Sequence, residues 1–422
     1  MPTTPAYVVT FVIALVVTFL ITPVVKWASR RLGVLAMPTD RAVHDKPMPL
    51  LGGVAMLIGF LAAMGVAWLS GSFPAMFADQ MPTIIGVVVG AVILCAVGTL
   101  DDVRDVSAPA KTAGIVLAAS TMYLFGVTML YFRPPFLDFL FVVGPGLAPL
   151  ITVLWVLGMA NAVNLIDGLD GLAAGIVAIG AGTFFLYGHH LATAGVQVIL
   201  PSNPSPLICV VTAGICLGFL PHNFNPARIF MGDGGALMLG GLMAASTILV
   251  GGQTSQPFSG QVFFFFAPLF IPFFVMAIPI IDTAFAIIRR ARKRAGLAEA
   301  DKDHLHHRLM RLGHGQRRSV AILWLWSGLL SAFVLYPVYT GKGNGLVPIA
   351  VAALALILLT FFHPGTRRAR QQEAAEEEHR RLEALAAVAA DPVGDDAVVE
   401  HADEAVDDAP AEPVASPTPP PG

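Results

Sequence analysis

Between Tyr7 and Phe362 the chain carries eleven apolar stretches, each about as long as a helix must be to cross a membrane. At about 1.5 Å of rise per residue, roughly twenty residues span a hydrocarbon core. The stretches fall near 7–28, 51–70, 83–100, 112–131, 147–165, 171–188, 207–221, 235–251, 262–288, 320–338 and 346–362. Their connections alternate between two faces. One face receives 29–50, 101–111, 166–170, 222–234, 289–319 and the tail; the other receives the N-terminus, 71–82, 132–146, 189–206, 252–261 and 339–345. Of the 25 Lys and Arg residues, only Arg133 and Lys342 fall on the second face. Positive charge stays on the inner side of a plasma membrane, so the first face reads as cytoplasmic and the N-terminus as external. The expected fold is an all-α, multi-pass integral membrane protein.

Composition excludes a soluble chain: 56% of residues are hydrophobic, 13% are charged and the mean hydropathy is +0.73. The net charge of −3 hides an uneven distribution. Residues 363–422 hold 14 of the 28 acids against five Arg, which leaves the membrane body, 1–362, at +6. A basic body suits anionic headgroups and phosphate-bearing substrates. The tail, rich in Ala, Glu and Pro, cannot bury a core and is expected to be a largely disordered cytoplasmic extension without a catalytic role. Cys95, Cys209 and Cys216 sit inside spans as small apolar residues, with no support for a disulfide framework. The first apolar stretch is long enough to span and has no basic region before it, so it reads as a retained helix and not as a cleaved signal.

The acids carry the functional information. Outside the tail there are 14, and 12 of them lie in loops or span ends on the first face, Asp79 and Asp138 being the exceptions. Asp101-Asp102 closes the third span; adjacent carboxylates near a low dielectric need a cation, a proton or a bound phosphate with its cation, unless they merely cap a loop and pair with Arg104 and Lys111. Asn161, Asn164, Asp167 and Asp170 recur every third residue, which puts them on one side of a helix, with Gly168 and Gly171 permitting a break. A polar seam between helices is the plainer alternative, yet two carboxylates in such a seam require cations. Asp233 lies between glycines at the start of an apolar helix, where it can bind Mg²⁺ beside amides that receive phosphate, or can simply cap the helix. Two basic elements, around His44 and Lys46 and around His304, His306, His307 and Arg308, read as anion sites more readily than as transition-metal sites, because no cysteine accompanies them.

In their order along the chain, Asp101-Asp102, Asn161–Gly175 (NAVNLIDGLDGLAAG), Asn225–Gly235 (NPARIFMGDGG) and His304–Leu309 (HLHHRL) resemble the polyprenyl-phosphate N-acetylhexosamine-1-phosphate transferases. Within them the last motif is most similar to the undecaprenyl-phosphate N-acetylglucosaminyl 1-phosphate transferases. The related branch that loads N-acetylmuramoyl-pentapeptide typically follows its histidines with an aromatic and an acid, where this chain has Arg308 and Leu309. The resemblance implies transfer of N-acetylglucosamine 1-phosphate from a UDP-sugar to a polyprenyl (undecaprenyl or decaprenyl) phosphate, with release of UMP. It implies Mg²⁺, with Mn²⁺ as an alternative, a bacterial plasma-membrane location with the active site on the cytoplasmic face, and a second copy of the chain as a candidate partner; nucleic acid is not expected.

Carried over residue by residue, the resemblance makes Asp233 and Asn164 the metal ligands and puts Asp167 at the nucleotide site. It stacks Phe230 on uracil and turns Asp101 and Asp102 toward the lipid phosphate. Lys46, His304, His306, His307 and Arg308 would bind phosphate or sugar, with His44, Lys111 and Asp170 in the same shell. The family's ninth span is bent to form a lipid groove; here 262–288 contains Pro268, Pro272 and Pro279, with Phe263–Phe266 as an aromatic surface. Between 131 and 148 a small external hairpin is expected. A rival class is an ion-coupled transporter, whose acids would lie near span centres instead of span ends.

Overall fold

A bilayer interior offers no water to backbone amides, so a spanning segment must satisfy its own hydrogen bonds, which an α-helix does. The structure is a computed structural model that describes residues 2–37, 47–132, 141–193, 199–253, 316–340 and 346–362. Ten α-helices occur among them: α1 (Thr4–Leu32), α2 (Gly52–Leu69), α3 (Pro74–Arg104), α4 (Ala108–Leu124), α5 (Ala148–Ile166), α6 (Leu172–Thr193), α7 (Ser205–Asn223), α8 (Gly232–Thr247), α9 (Gln316–Thr340) and α10 (Leu346–Phe362). Eight are long and apolar enough to cross a membrane, α8 counting with the turn that follows it; α4 and α10, at 17 residues each, are shorter. The ninth expected span, 262–288, lies outside the described residues, as does the tail from 363.

Two boundaries differ from the sequence reading. Residues 74–82, expected in a connection, are helical, and the backbone leaves helical geometry at Gln80. Pro82 explains the kink, since its ring clashes with the carbonyl one turn earlier and it has no N–H to donate. The fourth helix stops at Leu124 and not near 131, because Gly126 turns the chain with φ 103° into an extended segment. That segment leads to β3 (Tyr131–Phe132), which pairs antiparallel with β4 (Phe141–Val142) as the expected hairpin. A second ribbon, β1 (Leu35–Ala36) with β2 (Met48–Pro49), tidies the connection between α1 and α2 and was not legible beforehand.

The helix α8 is the axis of the bundle. It packs against α2, α3, α5 and α7, and its apolar run, Gly232–Gly252, is buried apart from Asp233 near its start. Around it, α1 flanks α2 and α7, α4 lies against α3 and α5, and α9 joins α6 to α10. Such packing needs small residues where backbones meet, because lipid tails leave no hydrophobic drive between helices. A side chain on Gly53 would strike the backbone of Gly235, and one on Gly98 the carbonyl of Asp233. Inside the helices, hydroxyls turn back on their own chain: Thr22 Oγ1 donates to Thr18 O at 2.6 Å and Thr183 Oγ1 to Ile179 O at 2.7 Å.

Where they are described, the connections expected on one face meet at one end of the bundle. Phe230 N donates to Pro49 O (2.8 Å) and Gly52 and Gly53 N–H groups donate to Phe230 O and Met231 O (3.0 and 2.8 Å), which staples the α1–α2 connection to the one before α8. Ser29 strengthens it, donating to Val34 O (2.6 Å) and accepting from Leu50 N (3.2 Å). At the opposite end Leu130 N donates to Gly252 O (2.7 Å), and Ser205 Oγ to Ser246 O (3.0 Å).

Candidate active site

The site forms where α3 ends, α4 and α8 begin and α5 ends. Gly232 opens α8 with φ 68°, a left-handed conformation in which a side chain is strained, and a Cβ there would also strike Asp102 and Leu50 O. This turn leaves the first amides of α8 bare, and Asp102 takes them. Its Oδ1 accepts from Asp233 N at 3.0 Å and its Oδ2 from Gly234 N at 3.2 Å. The cap of α8 is therefore supplied by a residue 131 positions earlier, and a carboxylate at a helix N-terminus also meets the positive end of the helix dipole.

The neighbouring Asp101 faces the other way. Its Oδ1 accepts from Val106 N (2.8 Å), holding the sharp turn after α3, and its Oδ2 accepts from Lys111 Nζ (2.8 Å). The same ammonium pairs with Asp233 Oδ2. Asn164, near the end of α5, completes the group when its amide is oriented to satisfy both ends: Nδ2 then donates to Asp233 Oδ1 at 2.9 Å and Oδ1 accepts from Lys111 Nζ at 3.2 Å. Oxygens of Asp101, Asn164 and Asp233, from three different helices, thus converge on one cation. Asp233 keeps 31% of its side chain exposed against 14% for Asp101, so Asp233 is the carboxylate better placed to meet a ligand.

Asp167 caps the end of α5 beside this group. Burial, reinforced by the carboxylates of Asp233, Asp102 and Asp170, holds its carboxyl well above the usual carboxylate range. Four carboxylates, Asp101, Asp102, Asp167 and Asp233, therefore bear on one region, in which Lys111 pairs with Asp101 and Asp233.

A divalent ion fits this donor set. The oxygens are hard ligands of the kind Mg²⁺ prefers, they already surround an ammonium, and the acids outnumber it. Among the described residues no three His, Cys, Asp or Glu side chains close a metal cage by themselves. Mg²⁺ seldom needs one, since it is commonly held by one or two carboxylates together with substrate phosphates and water.

The run of polar residues spaced by three does not stay on one helix. Asn161 and Asn164 lie on α5, the chain breaks between Asp167 and Gly171, and Asp170 points elsewhere. Its Oδ2 accepts from Asn225 Nδ2 (2.9 Å) and Ala227 N (3.0 Å), while Asn225 Nδ2 also donates to Gln316 Oε1 (2.6 Å). Asp170 thus clamps the loop before α8 to the break after α5, and Asn225 ties that loop to the start of α9. Asn161 donates only to Leu157 O of its own helix (2.8 Å).

Asn223, given no role from sequence, is a second brace. Buried at the end of α7, it accepts from Gly171 N (3.0 Å) and donates to Ile229 O (3.0 Å), which joins the break after α5 to the loop carrying Phe230. Its signal was a lone amide closing an otherwise apolar helix. Phe230 is half-buried with its main chain fixed by Pro49 and Gly52. Of the remaining expected members, His44, Lys46, His304, His306, His307 and Arg308 lie outside the described residues.

Residues 84–251 match glycosyl transferase family 4. The decaprenyl-phosphate N-acetylglucosaminephosphotransferase of Mycobacterium tuberculosis strain H37Rv is 37% identical over 327 residues, 75% of this chain and 79% of that protein. The probable undecaprenyl-phosphate N-acetylglucosaminyl 1-phosphate transferase of Bacillus subtilis is 38% identical over 330 residues, 78% and 84% of the two chains. A phospho-N-acetylmuramoyl-pentapeptide-transferase of Staphylococcus aureus is more distant, 27% identical over 351 residues, 76% and 97% of the two chains.

Proposed function

The chain belongs to glycosyl transferase family 4, and we propose that it transfers N-acetylglucosamine 1-phosphate from UDP-N-acetylglucosamine to a polyprenyl phosphate, releasing UMP. The product carries the sugar on the lipid through a pyrophosphate link and is the first lipid-linked intermediate of a cell-envelope polymer. The observation that carries this reading is the convergence of Asp101, Asn164 and Asp233 on Lys111 at one end of the bundle, with Asp167 beside them. Acids at span ends, and not at span centres, fit a reaction at the membrane surface better than ion transport through its midplane.

The chemistry joins two anions. A lipid phosphate oxygen attacks the sugar-proximal phosphorus of the UDP-sugar, and the bond from that phosphorus to the UMP oxygen breaks. A phosphate monoester is already largely ionised near neutral pH, so the attacking group needs no dedicated base. This agrees with Asp102, both of whose oxygens are taken by the amides of α8. A divalent ion held by Asp233 and Asn164 would supply charge neutralisation to the phosphates. Lys111 shares that electrostatic work from α4, and Asp101 orients Lys111. Phe230 stacks on uracil, at a position fixed by the strand-like pairing of its backbone. Lys46, His304, His306, His307 and Arg308 contact sugar and phosphate. The positive-inside bias of the sequence supports a cytoplasmic face for this chemistry.

Purified protein in lipid, given Mg²⁺, a polyprenyl phosphate and UDP-N-acetylglucosamine, is expected to release UMP and form the lipid-linked sugar. Turnover with UDP-N-acetylmuramoyl-pentapeptide but not with UDP-N-acetylglucosamine would move the chain to the more distant branch. Ion flux without UMP would reject group transfer altogether.

A further inference from the structure

Where α1 meets α7, outside the helices that carry the pocket's carboxylates and Lys111, a second charged feature stands apart. His222 Nε2 lies 3.0 Å from Phe19 O and its ring 4.9 Å from the Phe19 ring, which locks the end of α7 onto α1. Arg228 N donates to His222 O at 2.9 Å, so the Arg228 backbone is anchored to the end of α7 at this junction. Lys26 and Arg30, one helical turn apart on α1, complete it: the charges of Arg30 and Arg228 bear on Lys26, and those of Arg228 and Lys26 on His222. Among the described residues no carboxylate lies within ion-pair distance of Lys26, Arg30 or Arg228. Like charges gathered without a counterion repel one another, and an external anion relieves that repulsion.

The depth of the cluster says which anion. Trp27 is 60% exposed and the Arg31 guanidinium lies over its ring, 5.4 Å from the centroid. An exposed Trp ringed by basic residues at a helix end marks the headgroup level of a bilayer. Deeper on the same side of the helix Val12, Val16 and Phe19 are 45%, 41% and 41% exposed, an apolar track for acyl chains. A free phosphate would use the cations but not the track.

The geometry points to a binding site for the phosphate headgroup of an anionic phospholipid, clamped by Lys26, Arg30 and Arg228, with its chains along Phe19, Val16 and Val12. It does not depend on the transferase reaction, and none of its residues contacts the pocket's acids among the described hydrogen bonds.

The test uses the full chain in nanodiscs of phosphatidylcholine containing a minority of phosphatidylglycerol, with retained lipids identified by native mass spectrometry. The wild type is expected to keep phosphatidylglycerol in preference to phosphatidylcholine. The Lys26→Gln/Arg228→Gln variant should lose that preference by about fivefold per charge removed, the scale of one basic residue near an anionic surface. Lys26→Arg, which keeps the charge, should retain it. Turnover in pure phosphatidylcholine should be the same in all three, which separates loss of the lipid from loss of the fold. Equal preference in the charge-removed variant overturns the proposal. So does displacement of the lipid by inorganic phosphate, which assigns the cluster to a soluble anion. Loss of dimer mass without any change in retained lipid overturns it too, by giving the face to a second copy.

Discussion

Two adjacent acids, Asp101 and Asp102, do different work because their oxygens meet different partners. Asp102 caps α8, so Asp102→Ala should lower the thermal unfolding midpoint by an amount equivalent to about 1–2 kcal/mol, the usual worth of a helix cap. Asp233 is more exposed than Asp101 and caps nothing. Asp233→Ala is expected to abolish UMP release while membrane insertion and the midpoint stay near wild type; a variant that still turns over would remove Asp233 from the metal site. Asp167 gives a pH signature. Its folded-state pKa is raised, so between the unfolded and folded values the native state holds a proton that the unfolded chain has lost, and stability falls as pH rises through that window. Asp167→Asn should therefore raise the midpoint at neutral pH, and the gain should shrink on acidification toward the ordinary carboxylate range. A gain that is absent, or that grows in acid, contradicts the raised value. The identities of these acids were legible in the sequence, since carboxylates beside apolar spans are costly and need a reason. Their separate duties were not, because a capping bond between residues 102 and 233 leaves no trace in local spacing.

The helix α8 shows how close packing serves chemistry. Its N-terminus sits within backbone contact of α2 and α3, so the acid that opens it is held by three elements at once. Gly53→Ala and Gly98→Ala should each destabilise the protein by about 1–3 kcal/mol through overpacking, and Gly98→Ala should also reduce turnover by displacing the Asp233 backbone. Gly65→Ala on α2, where an added Cβ meets no atom within 4 Å, is the control and should leave the thermal midpoint unchanged or raise it. Equal effects at Gly53 and Gly65 would show that close approach is not what Gly53 provides. Helix ends were less legible than helix existence. The early stop of α4 rests on one glycine conformation, and the break after α5 divides four residues that their spacing alone assigns to one face.

At the scale of the molecule, alternation of the connections brings the ends of α3, α5 and α7 and the starts of α4, α6 and α8 to one end of the bundle. Cysteines introduced singly at Ser107 and Gly168, both exposed at that end, should react with an impermeant maleimide only when the cytoplasmic side is accessible. A cysteine at the exposed Leu147, at the other end of the bundle, should react only from outside. The three native cysteines are buried and should give little background. Labelling of Ser107 and Leu147 from the same side would break the assigned topology.

The sequence by itself determined the class of fold and the apolar helices among the described residues, because the cost of placing a side chain in hydrocarbon is a local and nearly additive property of each residue. It also separated the acids from lipid-facing positions before any contact was known. Only the tertiary structure decided which carboxylate caps α8, that Asp170 and Asn223 brace loops, and that Lys111 stands where three helices bring their oxygens together. Those outcomes depend on how each helix is rotated and how near its neighbour approaches, and both are set by distant glycines and turns acting at once.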